Sequence, residues 1–218
     1  MTARPRTAIL ISGRGSNMVS LLRAAEDPAY PAQFVLAASN RPDAPGLAHA
    51  AAAGLATLAL DHRAHPDRAG FDAALDAGLR AHGIELVVLA GFMRVLTPGF
   101  VEAWAGRMVN IHPSLLPLFR GTHTHAQALA AGVRLHGCTV HFVVPELDAG
   151  PIIAQAAVPV RPDDDADSLA ARVLVQEHRL YPAAVALVAA GRARLDGDRV
   201  AFAQGSAPPE GALLSLAS

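Results

Sequence analysis

The sequence predicts an α/β protein with a mostly parallel, twisted sheet covered by helices on both faces. Three observations carry this expectation. Short apolar runs rich in β-branched residues alternate with Ala/Leu-rich stretches of helical spacing, as right-handed βαβ units require. Several of those runs, such as Val87-Val88-Leu89-Ala90, are apolar throughout, as strands buried on both faces are. The last two strand candidates of the sheet follow one another with no helix between them, so the C-terminal half is expected to be mixed.

Taken in order, TAILIS (7–12) reads as the first strand and SNMVSLLRAAED (16–27) as the helix after it. FVLAAS (34–39) and ATLAL (56–60) are strands on either side of a helix over 46–54. In the 67–83 stretch Phe71, Ala74, Leu75 and Leu79 recur at helical spacing. Strands ELVVLA (85–90) and RMVNIH (107–112) flank a short helix at 100–106. A helix at 125–132, strands at 138–143 and 152–160, and a long helix over 167–191 complete the main body. RLDGDRVAF (194–202) reads as a short C-terminal hairpin turning on Asp196-Gly197, a pair that tolerates the positive φ of a tight hairpin turn. The Pro/Gly/Ser-containing tail, 203–218, is expected to lie loosely on the surface. A chain of 218 residues suits a single domain, 1–218.

Composition excludes several chemistries. All 18 basic residues are arginine, so no lysine exists for a Schiff base or a P-loop. Cys138 is the sole cysteine, which rules out an internal disulfide and a cysteine-based zinc cluster. The net charge of −1 gives no basic excess for nucleic acid or an anionic membrane. No apolar run approaches ~18 residues, and the N-terminus lacks a signal-peptide pattern, so a cytoplasmic protein with no membrane span is expected.

The loop ISGRGSN (11–17) joins the first strand to the first helix. Gly13 and Gly15 allow a tight turn and a close approach to a ligand. Ser16 and Asn17 fall at cap positions, where free N–H groups and the helix dipole favour a phosphate. The dinucleotide fingerprint is incomplete, because Met18 fills its third glycine position and the second strand ends in Ser39-Asn40 with no acid for a ribose. NAD is therefore not expected, and a phosphate monoester suits the loop better. A plain strand-to-helix turn explains the loop equally well.

In NIHPSLLP (110–117), Asn110 and His112 stand two apart on a strand and share a face. They sit at its carboxyl end, where open α/β sheets bind ligands. Asp148 lies in VPELDAGPII, just before a sharp turn at Ala149-Gly150-Pro151. An amide donor, an imidazolium and a carboxylate together suit acyl transfer: two stabilise an oxyanion, and the third orients the histidine and moves protons. Each has a bland reading, since lone strand histidines are more often structural and Asp148 by itself is explained as a turn cap. The histidines of HTH (123–125), with His112, lack a carboxylate partner, and no metal is expected.

Beyond these readings, SGRGSN, VVLAGFMRVLTP (87–98), NIHPSLLP, GTHTHAQAL (121–129), HFVVPELDAGPII (141–153) and VQEHRLYP (175–182) occur in an order that resembles the folate-dependent phosphoribosylglycinamide formyltransferase family. The resemblance covers roughly 6–202 and implies a Rossmann-like fold. It implies formyl transfer from 10-formyltetrahydrofolate, as co-substrate, to the amine of glycinamide ribonucleotide in purine biosynthesis. It divides the chain into a nucleotide/phosphate-binding half (6–112) and a folate-binding and catalytic half (113–202). By position it makes Asn110, His112 and Asp148 the catalytic trio, and Gly15, Ser16 and Asn17 the phosphate loop. Glu177 becomes the contact to the ribose hydroxyls. Met93, Arg94, Val95 and Leu96, with Val144, Pro145, Glu146 and Leu147, become the folate wall, joined by Arg68. His123 becomes an assisting residue.

The sequence departs from the family at Leu118, Phe119 and Arg120, where a lysine and another proline are common, and at Pro145, where an acid is common. These lie on loop rims and bear on affinity more than on reaction type. The expected partners are the two small molecules, with a monomer or weak homodimer as the assembly. Transfer to methionyl-tRNA or an amino sugar, hydrolysis of the formyl folate, and a non-catalytic nucleotide-binding module are the other readings.

Overall fold

A computed structural model describes residues 4–203. The elements run β1 (Arg6–Ile11), α1 (Ser16–Ala24), β2 (Gln33–Ser39), α2 (Pro45–Ala52), β3 (Ala56–Ala59), α3 (Arg68–Ala81), β4 (Leu86–Leu89), α4 (Pro98–Ala103) and β5 (Met108–His112). They continue with α5 (Thr124–Ala130), β6 (Leu135–Phe142), β7 (Ile152–Pro159), α6 (Ala166–Ala189), β8 (Ala193–Asp196) and β9 (Arg199–Phe202). Seven strands form one sheet in the order β3-β2-β1-β4-β5-β6-β7, and β8 pairs with β9 as a separate hairpin. Pairing is parallel from β3 through β5, then antiparallel for β5 with β6 and β6 with β7. This is the predicted mixed α/β sheet. The chain reverses its direction of travel across the sheet between β1 and β4, so the loops leaving these strands part and open a crevice at their carboxyl ends.

The period of two along β1 builds the two layers. Ile9 and Ile11 pack with Met18 and Leu21 of α1 and with Tyr181 and Val185 of α6. Ala8 and Leu10 pack on the other face with Phe71, Leu75 and Leu79 of α3 and with Phe100 and Val101 of α4. Asp67 caps α3 by accepting from Gly70 N–H at 2.7 Å, and Asp165 and Ser168 form a capping box on α6. The buried Tyr181 hydroxyl donates to the Leu89 carbonyl at 2.6 Å, which ties α6 to the end of β4 beside the crevice.

Several boundaries move from their predicted places. β6 starts at Leu135 because Leu135, His136 and Gly137 pair with Pro159, Val158 and Ala157. The polar His136 and the glycine disguise these residues as a loop. Gly137 is required there, since the Ala156 carbonyl oxygen fills the space of a Cβ. Helix α1 ends at Ala24, and Asp27 accepts from Ala29 N–H in the turn that follows. The cap of α1 is Gly15 itself, with Ser16 as first helical residue. A 3₁₀ turn at His62–Ala64 was not foreseen. Ala203 still bonds Arg192 through its N–H at 2.9 Å, while the rest of the tail expected to be loose, 204–218, lies outside the described residues. Among the described residues no helix is long and apolar enough to cross a membrane.

Candidate active site

Strand β5 sends Val109 and Ile111 into the α1/α6 core, which leaves Asn110 and His112 on the opposite face. The antiparallel register sets His141 of β6 opposite Asn110, and Thr139 opposite His112. After β6 the chain turns back through Asp148, whose φ of 49° lies in the left-handed region. Gly150 permits this return: a Cβ there would collide with the Phe142 carbonyl oxygen and stand 3.3 Å from His141 Nδ1. The turn therefore brings a carboxylate distant in sequence onto the two polar residues of β5.

His112 Nδ1 lies 3.4 Å from Asp148 Oδ2, and both side chains are buried, at 5% and 9% exposure. His112 Nε2 donates to the Phe119 carbonyl at 2.9 Å. Both ring nitrogens thus face acceptors, an arrangement that only the imidazolium satisfies fully. Asp148 Oδ2 also accepts from Gly121 N–H at 2.8 Å, so the loop before α5 is tied to the same carboxylate. Asn110 Nδ2 is 3.2 Å from His141 Nε2, and His141 Nδ1 is 2.9 Å from the Phe142 carbonyl. Phe119 and Asp148, both touching His112, have positive φ, as does His123 nearby in the chain. Non-glycine residues held in this region cost free energy and cluster at functional sites.

These groups line a cavity of about 450 Å³. Its walls include Met93, Arg94, Val95 and Leu96 on one side and Val144, Pro145, Glu146 and Leu147 on another, with His123 and His125 at the start of α5. Two buried side chains clamp the first wall. Ser12 Oγ accepts from Met93 N–H at 2.7 Å while donating to Asn40 Oδ1, and Asp72 Oδ2 accepts from Thr97 N–H at 2.6 Å. Between them the Arg94 guanidinium stacks over Phe71 at 4.5 Å. Met93 and Leu147 remain 74% and 53% exposed, so the cavity has apolar lips. Arg68 opens α3 and is not among the lining residues. His125 Nδ1 stands 3.2 Å from His136 Nε2. Burial, reinforced by His125, pushes His136 down to about 4, and burial lowers His125 as well. Among the described residues no three His, Cys, Asp or Glu side chains are placed to hold a metal ion.

At the other predicted site Gly15 has φ 74°, and a Cβ on it would lie 3.1 Å from Met18 Cε and 3.4 Å from Gly46 Cα. Asn17 Nδ2 donates to Glu177 Oε2 at 2.6 Å, while buried Asn17 Oδ1 has no hydrogen-bond partner. Burial raises the Glu177 carboxyl above its ordinary range, and the bond from Asn17 opposes this. These acceptors suit a ligand bearing hydroxyl donors. Ser16 lines a second cavity, about 680 Å³, with Arg14, Arg23, His49 and His178 around it.

The structure brings every predicted catalytic and folate-wall residue except Arg68 into one cavity. The sequence reading missed His141, the Phe119 carbonyl, Gly121 N–H and the clamps Ser12 and Asp72. A signal existed for His141. In CTVHFV the apolar alternation puts Thr139 and His141 on the same face, but only the register sets that face against Asn110.

The family described as "Formyl transferase" matches residues 5–185. The phosphoribosylglycinamide formyltransferase of Escherichia coli (strain K12) is 44% identical over 210 residues, 93% of this chain and 96% of that protein. The human trifunctional purine biosynthetic protein adenosine-3 is 46% identical over 192 residues, 88% of this chain, which spans only 19% of that longer protein. Among solved structures, glycinamide ribonucleotide transformylase 1 from Symbiobacterium toebii superposes with a TM-score of 0.89 at 44% identity, covering 93% of this chain and 95% of that one. On the match over 5–185, this chain belongs to the formyl transferase family.

Proposed function

We propose that the protein transfers a formyl group from 10-formyltetrahydrofolate to the amine of glycinamide ribonucleotide, yielding formylglycinamide ribonucleotide and tetrahydrofolate for purine synthesis. The observation that carries this reading is the meeting of Asn110, His112 and Asp148 at one end of a cavity with an apolar lip. The pterin of a folate, with polar edges and broad ring faces, suits the backbone and apolar side chains of the walls at 93–96 and 144–147. The ribonucleotide's phosphate suits the α1 N-terminus at Gly15, Ser16 and Asn17, with arginine rather than lysine supplying charge nearby. Its ribose hydroxyls suit Glu177 and the unpartnered Asn17 oxygen.

In this reading the amine attacks the formyl carbon and an oxyanion develops on the formyl oxygen. One N–H of Asn110 and the His112 imidazolium stabilise it. The 3.4 Å separation from Asp148 is long for a hydrogen bond, so the His112 Nδ1–H can be shared with an incoming oxyanion. As the intermediate collapses, the amine loses a proton and the departing folate nitrogen gains one. Asp148 is the carboxylate placed to relay it. His123 lines the cavity and assists from the loop.

Titration calorimetry tests the assignment of the two ligands. Gly15→Val places a β-branched side chain at φ 74° and against Met18, so ribonucleotide affinity is expected to fall at least about tenfold while folate affinity holds. Equal loss of both ligands would overturn the separate assignment.

A further inference from the structure

We propose that His141 is a positioning residue: its unprotonated Nε2 holds the Asn110 amide so that one N–H is engaged and the other is left free for the oxyanion. The proposal rests on the formyl-transfer reading above and names a group which that reading does not use.

His141 Nδ1 stands 2.9 Å from the Phe142 carbonyl, which accepts only, so Nδ1 carries the hydrogen. In a neutral ring Nε2 then has a lone pair, and a group 3.2 Å away must donate to it. Asn110 must therefore present its NH₂ and not its oxygen. The amide has two equivalent-looking orientations, and this network selects between them. Gly150 protects the arrangement, because any Cβ there would press on both the Phe142 carbonyl and His141 Nδ1.

Protonation of Nε2 would reverse the choice. Asn110 would then turn its oxygen to His141, and the N–H aimed at the oxyanion would be lost. The groups facing His141 are Asp148, with Oδ1 3.9 Å from Nε2, and His112 and Asn110 on β5. Burial of a side chain only 3% exposed is the largest influence and opposes protonation; the Phe142 carbonyl and Asp148 favour the protonated form, and His112 opposes it. Burial holds His141 below the usual histidine range, which keeps Nε2 unprotonated near pH 7.

The test compares His141→Gln, whose amide oxygen can accept but not titrate near neutral pH, with His141→Leu, which cannot accept. With wild-type protein, formyl transfer should weaken on the acid side. His141→Gln should keep kcat within about threefold of wild type at pH 7.5 and lose the His141 component of that acid limb. His141→Leu should lose at least about tenfold in kcat at every pH, with both KM values within about threefold, as for a misdirected oxyanion donor. Long-range ¹H–¹⁵N spectra of unliganded wild type should show the Nδ1–H tautomer of His141. An Nε2–H tautomer, an unchanged acid limb in His141→Gln, or wild-type kcat in His141→Leu would each overturn the proposal. A wild-type protein that transfers no formyl group would instead sink the reading on which it rests, and the tautomer measurement still decides the geometry.

Discussion

Replacing His112 by alanine is expected to lower kcat at least about 100-fold, since loss of a single oxyanion donor typically costs about 10²–10³. The loss should fall on turnover. The walls at 93–96 and 144–147 do not depend on this side chain, so KM for the folate should stay within about threefold. The substitution also strips a donor from the part-buried Phe119 carbonyl and from the buried Asp148 carboxylate. An unsatisfied buried acceptor costs about 1–3 kcal/mol, so a lower Tm is expected alongside the kinetic defect. Steady-state kinetics combined with thermal unfolding separates the two effects. Near-normal kcat in a folded His112→Ala protein would show that the ring is a structural histidine.

Asp148→Asn is expected to cost a similar factor, at least about 100-fold in kcat, by a different route. Asparagine has the same shape and tolerates a φ of 49° as readily as aspartate, so the turn should persist. Its amide oxygen can still accept from Gly121 N–H. That same oxygen still faces His112 Nδ1, and the NH₂ takes the place of Oδ1, 3.9 Å from His141 Nε2, so the geometry is kept and only the charge is removed. The imidazolium loses its counter-charge and the transferred proton loses its carrier. Activity near that of wild type, with an unchanged Tm, would reduce Asp148 to a turn cap.

Much of this site was legible before the structure, for physical reasons that differ by residue. The period of two along a strand is enough to put Asn110 and His112 on one face, and the carboxyl end of a parallel strand is where ligands bind. The α/β alternation and the C-terminal hairpin follow from apolar patterning and turn chemistry, but the turn is Gly197-Asp198, one residue on from the expected Asp196-Gly197, because Asp196 pairs with Arg199. Asp148 could be suspected but not joined to His112 from spacing alone, because the join depends on a chain reversal made possible by Gly150. His141 passed as one more residue of an apolar strand, and its role depends on antiparallel register, which local sequence does not encode. Arg68, expected as a folate contact by its position along the chain, lies at the start of α3 and is not among the residues that line the cavity. The start of β6 was hidden because His136 and Gly137 look like loop residues, although the close approach of the Ala156 carbonyl demands the glycine.

Consumption of 10-formyltetrahydrofolate, followed spectroscopically with glycinamide ribonucleotide against a panel of other amines and against no amine, tests the account most directly. One formylglycinamide ribonucleotide should form for each formyl folate consumed, and consumption without the ribonucleotide should be negligible. Preferred transfer to an amino sugar or to methionyl-tRNA, or rapid loss of the formyl group with no amine present, would contradict it.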